Sequence, residues 1–200
     1  MSAGGPVIVD SGGANISSLR FALGRLGCAA PLSADPELIR GASHVFLPGV
    51  GAVDDAMRRL ERSGLAEVVK ALRQPVLGIC LGMQLLFEAS EEDGGRNCLG
   101  LIPGCVARIP AGPDRPVPHM GWNLTSLAAD CPLFAGLQGA AHFYYVHSYA
   151  VPPGPDTVAV ADYGGEFTAV VSRGNFHGTQ FHPERSGPAG ARVLASFLAL

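Results

Sequence analysis

Short apolar runs and helical-period stripes alternate through the first half of the chain. Residues 6–9, Pro-Val-Ile-Val, read as a brief buried strand. Over residues 15–26 the apolar side chains fall at Ile16, Leu19, Leu23 and Leu26. That is helical spacing, and Gly27 supplies the stop. A second strand at 45–47 is closed by Pro48-Gly49. Helical patterns over 53–63 and 65–72 are separated at Ser63-Gly64. The apolar run 76–79 leads into an apolar helix pattern over 81–88. This βαβ alternation predicts a mostly parallel central sheet with helices on both faces. Sites in such sheets lie at the carboxyl ends of strands, where both Cys80 and the loop 48–51 fall.

From about Gly94 the texture changes to Pro, Gly and short apolar strands. Strands are expected at 105–109, 142–146, 158–161, 169–171 and 176–181, as antiparallel hairpins extending the sheet. A helix over 188–198 closes the chain, and 110–118 and 152–155 read as loops. There are no repeats, no low-complexity tract and no linker, so residues 1–200 are expected to form a single α/β domain.

Composition narrows the possibilities further. Two hundred residues suit one domain with a full core. Hydrophobic content of 48% against 16% charged marks a globular chain. The net charge of −3, with no basic run, argues against nucleic acid as a main partner. No apolar run approaches the ~20 residues of a membrane span, and no signal peptide is visible. The five cysteines are odd in number and none is paired as C-x-x-C. That speaks for reduced thiols in a cytoplasmic protein and against a zinc site.

The chemistry concentrates in two segments. Gly78-Ile79-Cys80-Leu81-Gly82 sits where a strand meets a helix pattern. It is a nucleophile elbow with cysteine in place of serine. Small residues allow the sharp turn, and the helix start beneath the sulfur favours thiolate. Buried packing is the competing reading for such a cysteine. The second segment is Gln180-Phe181-His182-Pro183-Glu184. In an extended chain His182 and Glu184 project to one side, and Pro183 disfavours helix before it. A carboxylate that orients an imidazole, and an imidazole that activates a thiol, make a Cys80–His182–Glu184 triad. Alone, His-Pro-Glu reads rather as a surface strand with a salt-bridged histidine, and it is the elbow that turns the reading to a triad.

Here the chain resembles the class I, triad-type glutamine amidotransferases, whose two signatures are both intact. Within that family it is similar to the glutaminase branch serving imidazole glycerol phosphate synthases. Pro118-His119-Met120-Gly121-Trp122-Asn123 and Val146-His147-Ser148-Tyr149 carry the finer likeness. The resemblance spans about residue 7 to the last helix and implies the family's fold. It implies that glutamine is hydrolysed without metal or organic cofactor, and that ammonia passes to a (β/α)8 cyclase partner in a heterodimer of histidine biosynthesis. An anthranilate or pyridoxal phosphate synthase glutaminase is the alternative within the family. Outside it, a cysteine hydrolase of another kind or a non-enzymatic binding module remain as rival classes.

Residue roles follow the same resemblance. The N–H of Leu81, directly after the nucleophile, is one oxyanion donor. Gly49, Val50 and Gly51 are implied to supply the second, though without the resemblance Pro48-Gly49-Val50-Gly51 reads rather as a tight turn after a buried strand. Gln84, Ser148 and Tyr149 are implied to hold the ends of glutamine, while Gln84 alone could be an exposed helix residue. Asn15, Tyr144, Arg185 and a proline-bounded loop carrying Met120 and Trp122 are implied to dock the partner. Trp122, the only tryptophan, could otherwise be a core residue. Arg185 stands where lysine is common and Ser11 where tyrosine is common. Thirteen of the fourteen basic residues are arginine, so the first departure fits a general drift.

Overall fold

The structure, a computed structural model, describes residues 4–12, 16–127 and 131–200. The chain opens with β1 (Val7–Val9), α1 (Ser17–Arg25), β2 (Leu32–Ser33), α2 (Pro36–Arg40) and β3 (Val45–Gly49). It continues through α3 (Val53–Arg62), α4 (Leu65–Lys70), β4 (Val76–Cys80) and α5 (Leu81–Gln84). Then come β5 (Phe87–Ser90), β6 (Arg96–Asn97), β7 (Ile102–Arg108), β8 (His119–Leu127), β9 (Ala140–His147) and β10 (Tyr149–Ala150). The last elements are β11 (Thr157–Asp162), β12 (Glu166–Arg173), β13 (Phe176–Thr179) and α6 (Gly187–Leu198).

The main sheet runs β2-β1-β3-β4-β13-β12-β11-β8-β9. From β2 to β13 it is parallel, and from β12 onward antiparallel. Alternation along each strand divides the core in two. Val7, Val9, Val45 and Leu47 face Ile39, Met57, Leu60 and Val69 of α2, α3 and α4. Ile8, Phe46, Leu77 and Ile79 face Leu19 and Leu23 of α1 and Val193, Leu194 and Phe197 of α6. Helices thus cover both faces of the parallel half, as expected for buried strands joined by crossover helices.

Four sequence expectations are corrected. The helix over 81–88 stops at Gln84, and the chain turns into β5. Leu85, Leu86 and Phe87 are all buried, and a fully apolar run does not distinguish helix from strand. The strand expected at 105–109 begins at Ile102 and lies outside the main sheet. It belongs to a second sheet, β10-β7-β5-β6, packed over the α3 side. The segment carrying Met120 and Trp122 is not a loop but part of β8, paired along its length with β9. Its outward apolar positions obscured the period-2 signal. Finally, Glu184 is not on a strand with His182 but in a 3₁₀ turn, Pro183–Arg185.

The short elements β2 and α2 were missed, although α2 carries a legible start. Asp35 accepts a hydrogen bond from the Glu37 N–H at 2.9 Å, and Pro36 occupies the first turn. Among the described residues, no helix is long and apolar enough to cross a membrane.

Candidate active site

Cys80 ends β4 and Leu81 begins α5, so the chain reverses within one residue. Cys80 takes φ 54°, ψ −110°, a conformation disfavoured for any residue with a Cβ. The turn is held by close approach to the neighbouring strand. A Cβ on Gly82 would meet the Leu47 carbonyl oxygen at 1.8 Å, and one on Gly49 would meet the Gly82 nitrogen at 2.8 Å. No larger residue fits at either position. Because α5 is a single turn, it brings free N–H groups rather than a long helix dipole beneath the sulfur.

The parallel order β3-β4-β13 brings the second segment to the same sheet end. Gly49 pairs with Cys80, and Thr179 pairs with Ile79. His182 follows in extended backbone, its N–H bonded to the Tyr144 carbonyl at 2.9 Å. Ser186 Oγ donates to the His182 carbonyl at 2.6 Å and accepts from the Tyr144 N–H at 2.9 Å. The 3₁₀ turn swings Glu184 back, so that its Oε1 lies 2.8 Å from His182 Nδ1. The turn therefore achieves the contact that a flat strand was expected to give.

Burial by itself would lower the His182 pKa, but it is raised to about 10 because the neighbouring Cys80 sulfur and the Glu184 carboxylate favour imidazolium. Nε2 is buried and makes no hydrogen bond of good geometry. The influence of Cys80 is thus that of a close neighbour, and Glu184 makes the formed bond. The Cys80 sulfur also lies 3.7 Å from the Val146 carbonyl and 3.8 Å from Gln180 Nε2.

Cys80, His182 and Glu184 line one cavity of about 420 Å³, within the range of small-ligand sites. Gly49, Val50, Gly51, Leu81, Gln84, Ser148, Tyr149 and Arg185 line it too. Gln84 is buried rather than exposed, and its Nε2 donates to the Tyr149 carbonyl at 2.9 Å and to Gln180 Oε1 at 3.0 Å. Glu92 also reaches this cavity, which the sequence reading missed. One of its oxygens accepts the Val53 N–H at 2.7 Å and caps α3. A glutamate in the polar 91–97 stretch carries no motif that would have marked it. Among the described residues, no group of His, Cys, Asp or Glu is arranged to hold a metal ion.

Three of the remaining expected site residues, Met120, Trp122 and Tyr144, lie on the paired strands β8 and β9. Met120 and Trp122 are 63% and 57% exposed, with Leu124 next along the same face of β8, so Trp122 is not a core residue. The Trp122 and Tyr144 rings meet edge to face at 6.2 Å, and the Arg185 guanidinium lies 5.6 Å from the Tyr144 ring centre. Asn15 lies outside the described residues. Ser11 is buried, with Oγ 3.5 Å from the Pro48 carbonyl.

The family model for class-I glutamine amidotransferases matches residues 7–200. The chain belongs to this family, and it is a glutamine amidotransferase. It is 49% identical over 199 residues to the imidazole glycerol phosphate synthase subunit HisH of Vibrio cholerae, covering 97% of this chain and 98% of that one. It is 52% identical over 193 residues to HisH of Xanthomonas axonopodis pv. citri, covering 96% of each. A solved structure of a glutamine amidotransferase aligns with a TM-score of 0.74 at 20% identity, over 97% of both chains. Another, from Thermotoga maritima, aligns with a TM-score of 0.64 at 17% identity, over 100% of this chain and 82% of that one. These last two likenesses bear out the amidotransferase fold expected from the sequence.

Proposed function

We propose that this glutamine amidotransferase is one domain acting as the glutaminase subunit of a cytoplasmic imidazole glycerol phosphate synthase. The observation that carries the reading is the HisH likeness, about half identical over nearly the whole length. Cys80 attacks the glutamine amide carbon to form a tetrahedral intermediate. His182, protonated around neutral pH, gives its proton to the departing ammonia. Glu184 orients His182. Water then adds to the thioester with His182 as base, releasing glutamate and free Cys80. The free oxygen of Glu92 suits the substrate ammonium, and Gln84 with the Ser148–Tyr149 segment holds that end of the molecule. Ammonia passes to a (β/α)8 cyclase partner, which forms imidazole glycerol phosphate and an aminoimidazole carboxamide nucleotide. The direct test is the purified chain with such a cyclase. Glutamine-dependent imidazole glycerol phosphate formation is expected, and its absence, with glutamine serving an anthranilate or pyridoxal phosphate synthase instead, would refute the assignment.

The oxyanion hole consists of the Leu81 N–H and a donor from Gly49, Val50 and Gly51. Gly49 abuts the elbow, which supports that proximity. The Gly49–Val50 peptide can rotate to aim the Val50 N–H at the developing charge, giving a switch that the partner can bias. Val50→Pro deletes this donor, and the strand conformation of Gly49 is one that a following proline tolerates. Glutamine turnover should fall by about 10²–10³ in the liganded complex. Melting temperature and ammonia-dependent synthesis should stay near normal. Wild-type turnover in the folded variant would remove this loop from the oxyanion hole.

The partner docks on Met120, Trp122, Tyr144 and Arg185, and the family resemblance adds Asn15 to this set. Trp122→Ala should weaken cyclase binding by ~2 kcal/mol or more in a calorimetric titration. Its exposure predicts little change in the stability of the free glutaminase. Unchanged affinity would move the interface elsewhere.

A further inference from the structure

Two buried histidines have no part in the reaction so far described. His119, at the start of β8, and His147, at the end of β9, are register partners across that strand pair. His119 Nδ1 lies 2.9 Å from His147 Nε2, and His147 Nδ1 lies 2.9 Å from the Tyr149 carbonyl oxygen. The two side chains are 3% and 5% exposed. Tyr145 and Tyr163 stack on the His119 ring, with centroids 5.1 and 4.0 Å away.

The polarity of these bonds is fixed. A carbonyl only accepts, so His147 Nδ1 must carry a hydrogen. Burial pushes both imidazoles down to about 4, so each is neutral near pH 7 and has one N–H. His147 Nε2 is then an acceptor and His119 Nδ1 its donor. Asn123 Nδ2 stands 3.4 Å from the remaining His119 nitrogen. On the other side, the Tyr149 carbonyl also accepts from Gln84, which donates to Gln180, whose amide faces the Cys80 sulfur. A continuous hydrogen-bond chain therefore runs from β8 to the nucleophile, and it turns at the Tyr149 carbonyl, which accepts from both sides.

We propose that His119 is a positioning residue for glutamine: by donating to His147 Nε2 it holds His147 in the Nδ1–H tautomer, and so fixes the Tyr149 carbonyl and Gln84 at the substrate end of the cavity. Without that donor, His147 can move its hydrogen to Nε2. Its Nδ1 lone pair would then oppose the carbonyl lone pairs at hydrogen-bond distance. The carbonyl must shift, and Gln84 loses one of its two acceptors. The inference rests on the glutaminase reading, but the tautomer can be measured independently of turnover.

The experiment uses the glutaminase–cyclase complex with His119→Phe and His119→Asn. The asparagine amide can place a donor near the position of Nδ1. His119→Phe should raise KM for glutamine about tenfold, the effect expected when a buried acceptor loses its donor, with kcat little changed. His119→Asn should recover most of that loss. Nitrogen-15 spectra of histidine-labelled protein should show His147 as the Nδ1–H tautomer in wild type and His119→Asn, and no longer fixed so in His119→Phe. A fall in kcat at constant KM would mean a merely structural role and overturn the proposal. So would an Nε2–H tautomer in wild type, or an asparagine variant as impaired as the phenylalanine one. Should His119→Phe fail to fold, the wild-type spectrum and the His119→Asn kinetics decide. If wild type itself leaves glutamine intact, the glutaminase reading falls, while the spectra still judge the relay.

Discussion

Cys80→Ala should leave no measurable glutamine hydrolysis, a loss of ~10⁴-fold or more, because no other group can form the thioester. The fold should not suffer. Alanine and cysteine bear the same Cβ penalty at φ 54°, so the elbow is no more strained in the variant. Cyclase binding should persist, and with ammonium salt the complex should still make imidazole glycerol phosphate. That separation of activities marks a nucleophile rather than a packing residue. A glutamine analogue bearing an electrophilic carbon should label Cys80 alone. Burial raises the Cys28 and Cys131 pKa values, and burial with the nearby Cys105 raises Cys98 to about 11. Cys105 is exposed, yet slight burial and the charges of Glu91 and Glu88 raise it too. All four are therefore poor nucleophiles near pH 7. Labelling that maps to Cys98 or Cys105, or residual glutaminase in Cys80→Ala, would overturn the assignment.

What the sequence made legible follows from how local each signal was. The elbow is encoded by five consecutive residues, and the close approach of Gly82 to Leu47 explains why glycine is needed there. The His182–Glu184 pair was read correctly as neighbours but for an incomplete reason. Two residues apart on a strand they would share a side, whereas the 3₁₀ turn at Pro183 supplies the 2.8 Å contact. The parallel half was visible because its strands are continuous apolar runs. The pieces that escaped depend on distant partners. β5 is a strand only because β7 and β6 lie beside it, and Glu92 reaches the cavity only because it caps α3 across the chain. The exposed Met120, Trp122 and Leu124 broke the polar-outside rule for β8, which is the failure expected of the docking face proposed above.

The second large effect should appear at His182. His182→Ala removes the proposed proton donor to ammonia and base for water, and a loss of roughly 10³–10⁴-fold is expected. Glu184→Gln should be milder, since the amide oxygen can still accept the Nδ1 hydrogen. What it loses is charge, and pH dependence should expose that loss. In the native site His182 is held protonated up to about 10, above its ordinary 6.5. Its contribution to stability is thus fully present below 6.5 and lost as pH rises through about 10. Without the Glu184 charge, burial pulls the pKa back down, so His182 gives up its proton at lower pH. The alkaline limb of kcat/KM for glutamine should therefore move to lower pH in Glu184→Gln, and the same variant should lose stability earlier as pH is raised. Ammonia-dependent synthesis should be unaffected in either variant, because the cyclase reaction does not use this pair. A Glu184→Gln enzyme more damaged than His182→Ala, or one whose alkaline limb stays in place, would mean that Glu184 does not act through the imidazole and that the roles assigned to the two residues are wrong.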